Sequence, residues 1–197
     1  MRNTLFSVLL AVLSGLLLLG SCGLVDGDGG GTTKSDSTFF RAMLNGKETW
    51  SGEEIRAFFS DGVKSNRWLT ISADTIHKQN YPYTESLVFV AIFKEENTYS
   101  LVETQHDWDE TGSSYYESDG DVSIASYHPD GDTSTNRLKI TRYDSTTGIM
   151  EGTFRTTVVV DSADRAPEPG QPPRRRPDTL RFTDGEFRVQ VEDRRDE

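Results

Sequence analysis

The stretch HDWDETGSSYYESDGD, residues 106–121, concentrates side chains that could do chemistry. Asp107, Asp109, Asp119 and Asp121 offer carboxylate oxygens, and calcium takes six to eight oxygen ligands. Glu110 and Glu117 add two more acids, although the spacing matches no named calcium loop. Trp108, Tyr115 and Tyr116 place flat rings beside those acids, a combination that suits contacts to a glycan. Glycan hydrolysis would need two carboxylates facing each other at roughly 5–9 Å, which adjacency in sequence does not establish. A plainer reading makes this stretch the acidic tip of a β-hairpin, with Tyr115 and Tyr116 alternating in and out of the sheet. The candidate metal ligands are therefore Asp107, Asp109, Asp119 and Asp121, with calcium the only cofactor considered. The candidate ligand-contacting residues are Trp108, Tyr115 and Tyr116. No catalytic residues are assigned. His77, His106 and His128 are far apart, no two have metal-ligand spacing, and no nucleophile elbow, phosphate loop or zinc motif occurs.

Cys22 is the only cysteine, so no disulfide can form within the chain. It follows Arg2 and an apolar run over residues 5–19, which has the length of a signal-peptide h-region and is short for a membrane span. Leu19-Gly20-Ser21-Cys22 resembles the bacterial lipobox, in which the cysteine thiol is acylated and becomes the first residue. That resemblance implies lipidation of Cys22 and a membrane contact made through acyl chains. Each buried CH₂ contributes roughly 0.8 kcal/mol, and two or more chains anchor stably. Residues 23–37 are rich in Gly, Ser, Thr and Asp and read as a flexible tether.

The chain carries 32 acidic against 21 basic residues, a net charge of −11. Removing residues 1–21 takes away Arg2 and no acid, which makes the remainder more acidic still. Such a surface is unsuited to neutralising nucleic-acid phosphates, so no nucleic-acid partner is expected. It also repels anionic lipid, which leaves the anchor as the membrane contact. The partners that remain are a glycan or another envelope protein.

What must position these residues is an all-β domain. Helical periodicity is nearly absent, and short runs rich in Val, Ile, Thr, Phe and Tyr alternate between turn signals. Asn45-Gly46 within FFRAMLNGKETW predicts a tight hairpin. Leu69, Ile71 and Ala73 share one strand face. Residues 87–93 are apolar on both faces and predict a central strand well covered on both sides, with Glu95-Glu96-Asn97 turning it into a hairpin with residues 98–104. Met150, Gly152, Phe154, Thr156 and Val158 share a face, as do Phe187, Val189 and Val191 beyond a bend at Asp184-Gly185. The organisation expected is a signal peptide over 1–21, a tether over 22–37, a domain over 38–192 and a tail over 193–197. The domain should be a single antiparallel β-sandwich or barrel-like body. Within it, the proline-rich segment 163–177 excludes sheet and should form an extended loop. Its Arg174-Arg175-Arg176 cluster reads as solvated loop, or as a contact for an anionic partner such as lipopolysaccharide phosphate.

Four motifs carry a family resemblance: Asn45-Gly46-Lys47 with Trp50 near the start, Tyr99 and Leu101 in the middle, and two late motifs. The late pair are Gly152-Thr153-Phe154 and Thr183-Asp184-Gly185-Glu186-Phe187. In this order, behind a lipobox and a short tether, they resemble a family of small uncharacterised Bacteroidota lipoproteins. The match covers most of residues 39–191 in patches, and its motifs are turns and core positions. The resemblance implies an all-β, mostly antiparallel domain lipid-anchored to a bacterial membrane, on the periplasmic or surface face of the outer membrane. It brings no catalytic residues. The expected function is a non-enzymatic binding or structural module. The alternatives are a calcium-dependent or glycan-binding surface protein and, further off, a glycoside hydrolase.

Overall fold

A computed structural model describes residues 37–61, 67–78, 82–102, 111–165, 170 and 172–195. Eleven strands make up the described fold. They are β1 (Phe39–Leu44), β2 (Glu48–Ser51), β3 (Glu54–Asp61), β4 (Arg67–Lys78), β5 (Pro82–Ile92), β6 (Thr98–Ser100), β7 (Gly112–Asp119), β8 (Val122–Pro129), β9 (Arg137–Asp144), β10 (Ile149–Val160) and β11 (Thr179–Asp193). A 3-10 turn, Ser162–Arg165, is the one helical segment among the described residues. No helix among them is long and apolar enough to cross a membrane. The all-β, mostly antiparallel class expected from the sequence is the one observed.

The ladders run β11–β3–β4–β5–β7–β8–β10 and return to β11, so the hydrogen-bonding path closes on itself. All pairings among these strands are antiparallel except β3 with β11. β1 and β2 branch from one edge of β11, and β9 and β6 from one edge of β10. β11 serves two partners on one edge because it bends. Asp184 adopts a left-handed φ of 50°, and both the β1 and β10 registers shift beside it. An extra residue on one strand increases its twist and re-aims the residues beyond it. Residues 182–188 therefore pair with β1, and Val191, Glu192 and Asp193 pair with β3.

Alternation decides which residues point inward. Leu69, Ile71 and Ala73 of β4, and Leu87, Phe89 and Ala91 of β5, are buried together with Met150, Phe154 and Val158 of β10. Phe40 stacks on Phe154 at 4.7 Å between ring centres, and Phe89 lies 5.0 Å from Phe154, so β1, β5 and β10 meet in one aromatic core. The Asn45-Gly46 turn has φ values of 52° and 64°, the doubly positive pair that two-residue hairpins require.

Two expectations need correction. Among the described residues, 87–102 do not form the expected hairpin: β5 pairs with β4 and β7, while β6 pairs with β9. The Tyr99 hydroxyl accepts from the Lys94 N–H and donates to the Glu95 carbonyl, and that closes the connection locally without a β5–β6 ladder. The outward face of β5 (Val88, Val90, Ile92) is also only half-buried.

Candidate functional site

On β5 the inward positions continue past Leu87 to Glu85 and Tyr83, and on β7 past Tyr115 to Glu117. The core parity of both strands thus carries a carboxylate toward the same end of the domain. Glu85 and Glu117 are 1% and 0% exposed. They are also direct partners in the β5–β7 ladder, where like charges oppose each other unfavourably.

The groups that compensate come from four directions. Glu117 accepts the Tyr83 hydroxyl at 2.5 Å and the Tyr127 hydroxyl at 2.6 Å. It also accepts the backbone N–H of Arg175 at 2.9 Å and that of Arg176 at 3.3 Å. Glu85 accepts the Trp50 indole N–H at 2.9 Å. The Arg176 guanidinium grips Glu85 with Nε at 2.8 Å from one oxygen and Nη2 at 2.8 Å from the other. A planar fork on a carboxylate is the strongest common form of charged hydrogen bond. The third nitrogen of Arg176 reaches Glu48 on β2. Arg175 stacks its guanidinium 3.9 Å from the centre of the Tyr83 ring, and Arg174 pairs with Asp178.

Electrostatics follows from this packing. Burial works against charge on Glu85, but the hydrogen bonds and charge of Arg176, helped by Trp50, hold its carboxyl below the ordinary range. Burial raises the phenols of Tyr83, Tyr115 and Tyr127, and bonds or charge from Glu117 and Glu85 raise them further. The Tyr115 hydroxyl is fully buried and forms no complete hydrogen bond, although it lies near enough to Glu85 to favour that carboxylate's charge. His77 Nε2 lies 3.3 Å from Glu85 Oε1, in a geometry that makes no hydrogen bond.

Within the proline-rich segment, residues 163–165 lie in the 3-10 turn Ser162–Arg165 and not in an extended loop, and the part that follows Gln171, though partly exposed, is held against the domain. Residues 172–178 form a strap held over the carboxylate pair, and the Arg174–Arg176 cluster is not a free basic surface. Two buried acids without a cation are far more costly than an ordered loop, which is why Arg176 turns inward.

The residues singled out from sequence lie differently. Cys22, Asp107, Trp108 and Asp109 fall outside the described residues. Asp119 ends β7, opposite Tyr83, and Asp121 sits in the β7–β8 turn. No group of three or more potential metal ligands occurs among the described residues. Tyr115 faces the core and packs edge-on against Tyr127, so it presents no ring to a surface ligand. Tyr116 faces outward and is 42% exposed. His128 bonds Asp161, and His106 is outside the described residues.

Sequence reasoning missed Glu85, read Arg176 only as part of a solvated or anion-contacting cluster, and placed Glu117 in a surface tip. The missed signal was parity, because a Glu on the same face as Leu87 and Phe89 must point into the core and demands a cation. As arranged, the pair is closed from solvent and Glu85 is held ionised. Glycoside hydrolysis needs instead a carboxylic acid kept protonated beside an open cleft. No family model, curated protein or solved structure matches the chain.

Proposed function

We propose that this chain is a bacterial cell-envelope lipoprotein, held to a membrane by acyl groups on Cys22, whose all-β domain is a non-enzymatic binding or structural module. The observation that carries the anchor is Leu19-Gly20-Ser21-Cys22, placed between a signal-length apolar run and a Gly- and Asp-rich tether. The motif resemblance to small Bacteroidota lipoproteins points the same way and favours the periplasmic or surface face of the outer membrane. The engaged, solvent-excluded Glu85–Glu117 pair favours a binding or structural role over hydrolysis. Glycan binding remains an alternative, favoured by the outward Tyr116 ring on β7.

Fractionation of a Cys22→Ala variant tests the anchor. The variant should accumulate as unprocessed precursor or leave the membrane fraction, and should lose incorporation of labelled fatty acid. Unchanged mobility and membrane association would overturn the lipoprotein reading.

A further inference from the structure

The strap is a short peptide that this domain already binds. One carboxylate receives the fork of an arginine, a second receives two consecutive backbone N–H groups, and an aromatic face receives the neighbouring guanidinium. These are the elements of arginine-peptide recognition. Buried ion pairs are often no better than apolar packing of equal volume, and the core elsewhere is filled by Phe40, Phe89, Phe154 and Phe187. The buried Tyr115 hydroxyl lies beside Glu85, near enough to favour that carboxylate's charge, and completes the lining of the site.

We propose that Glu85, Glu117, Tyr83, Tyr115 and Trp50 form a binding site for an arginine in an extended peptide. Residues 174–176 occupy it in cis, and an arginine-bearing peptide from outside takes the same place when the strap is lifted. The proposal rests on reading the domain as a binding module and is independent of the Cys22 anchor. A tethered occupant acts at an effective concentration of roughly millimolar, so an external peptide is best detected once the internal arginine is removed.

The test uses the full chain in detergent with Arg176→Ala. Two synthetic peptides are added: PPRRRPD, the sequence of residues 172–178, and PPRRAPD. The variant should melt below the wild type. PPRRRPD at 100 times its dissociation constant should raise the variant's Tm by on the order of 5–10 °C and alter Trp fluorescence. PPRRAPD should do much less. Equal shifts from both peptides, or none from either, would overturn the proposal, as would a variant that melts like the wild type. If Arg176→Ala has no cooperative melt, Arg176→Lys replaces it, keeping the charge but not the fork, and the same peptide comparison decides. Failure here leaves the Cys22 fractionation result untouched, and failure there leaves this one untouched.

Discussion

Glu85 and Glu117 sit directly opposite each other on adjacent strands in the interior, and the guanidinium that grips Glu85, that of Arg176, arrives from more than fifty residues further along the chain. Their joint burial is tolerable only because partners from β2, β5, β8 and the strap use their oxygens.

Removing the cation should therefore be costly, and removing the pair should not. Arg176→Met is expected to lower unfolding free energy by about 3–5 kcal/mol, because it strands a buried carboxylate. Adding Glu85→Met in the same chain should recover much of that loss. Urea unfolding of the two single variants and the double variant measures the coupling. A double variant no more stable than Arg176→Met would show that Glu85 is not the stranded charge.

The three tyrosines around the carboxylate pair should separate by what their hydroxyls do. Tyr83 and Tyr127 each donate to Glu117. Replacing either by Phe should cost about 1.5–3 kcal/mol, the range for hydrogen bonds to charged groups. Tyr115→Phe removes a hydroxyl with no complete bond and should cost less than either. Equal losses at all three positions would contradict the bonding pattern.

The pH profile has a sign on each side. Glu85 is held below its ordinary 4.5, so its contribution is complete above that pH. It is lost as pH falls through the lower folded value. Glu85→Gln should flatten this acid limb. The phenols of Tyr83, Tyr115 and Tyr127 are raised above 10.0. Their contribution is complete below pH 10 and declines as pH rises beyond it. Phenolate absorbance from these rings should appear together with loss of β-sheet circular dichroism. Ionisation of all tyrosines at the ordinary value in a still-folded protein would contradict their burial.

A reciprocal pair of glycines and phenylalanines joins the last two long strands. Gly152 is opposite Phe187, and Phe154 is opposite Gly185. A Cβ at Gly152 would strike the Phe187 ring and the Lys139 carbonyl oxygen, and one at Gly185 would strike Phe154. Gly152→Ala and Gly185→Ala should each cost about 1–3 kcal/mol through overpacking. Thr153→Ala, at an exposed position between them, should stay within about 0.5 kcal/mol. Thermal melts of the three variants decide whether the glycines are there for space.

Local pattern carried most of the fold. The alternation in β4, β10 and β11 and the Asn45-Gly46 turn were readable because each depends on residues adjacent in sequence. The partner of β6 was not, since three residues, Thr98–Ser100, hold no information about a ladder to β9. The strap failed for a related reason. A run of Pro and Arg looks solvated by composition, and only the inward parity of Glu85 and Glu117, far upstream, gives Arg176 a destination. In the acidic stretch from 106 to 121 the expected in-and-out alternation of Tyr115 and Tyr116 holds, but Glu117 belongs to the core rather than to a surface tip.

β11 is the common partner of β1, β3 and β10, and the strap immediately precedes it. A polypeptide made or threaded with its N-terminus leading thus exposes most of its strands before it owns the segment that unites them. Until residues 172–193 emerge, the ladder has no closure and the two interior acids have no arginine. Closure of the ladder and neutralisation of the interior acids thus both depend on the last quarter or so of the chain to be made.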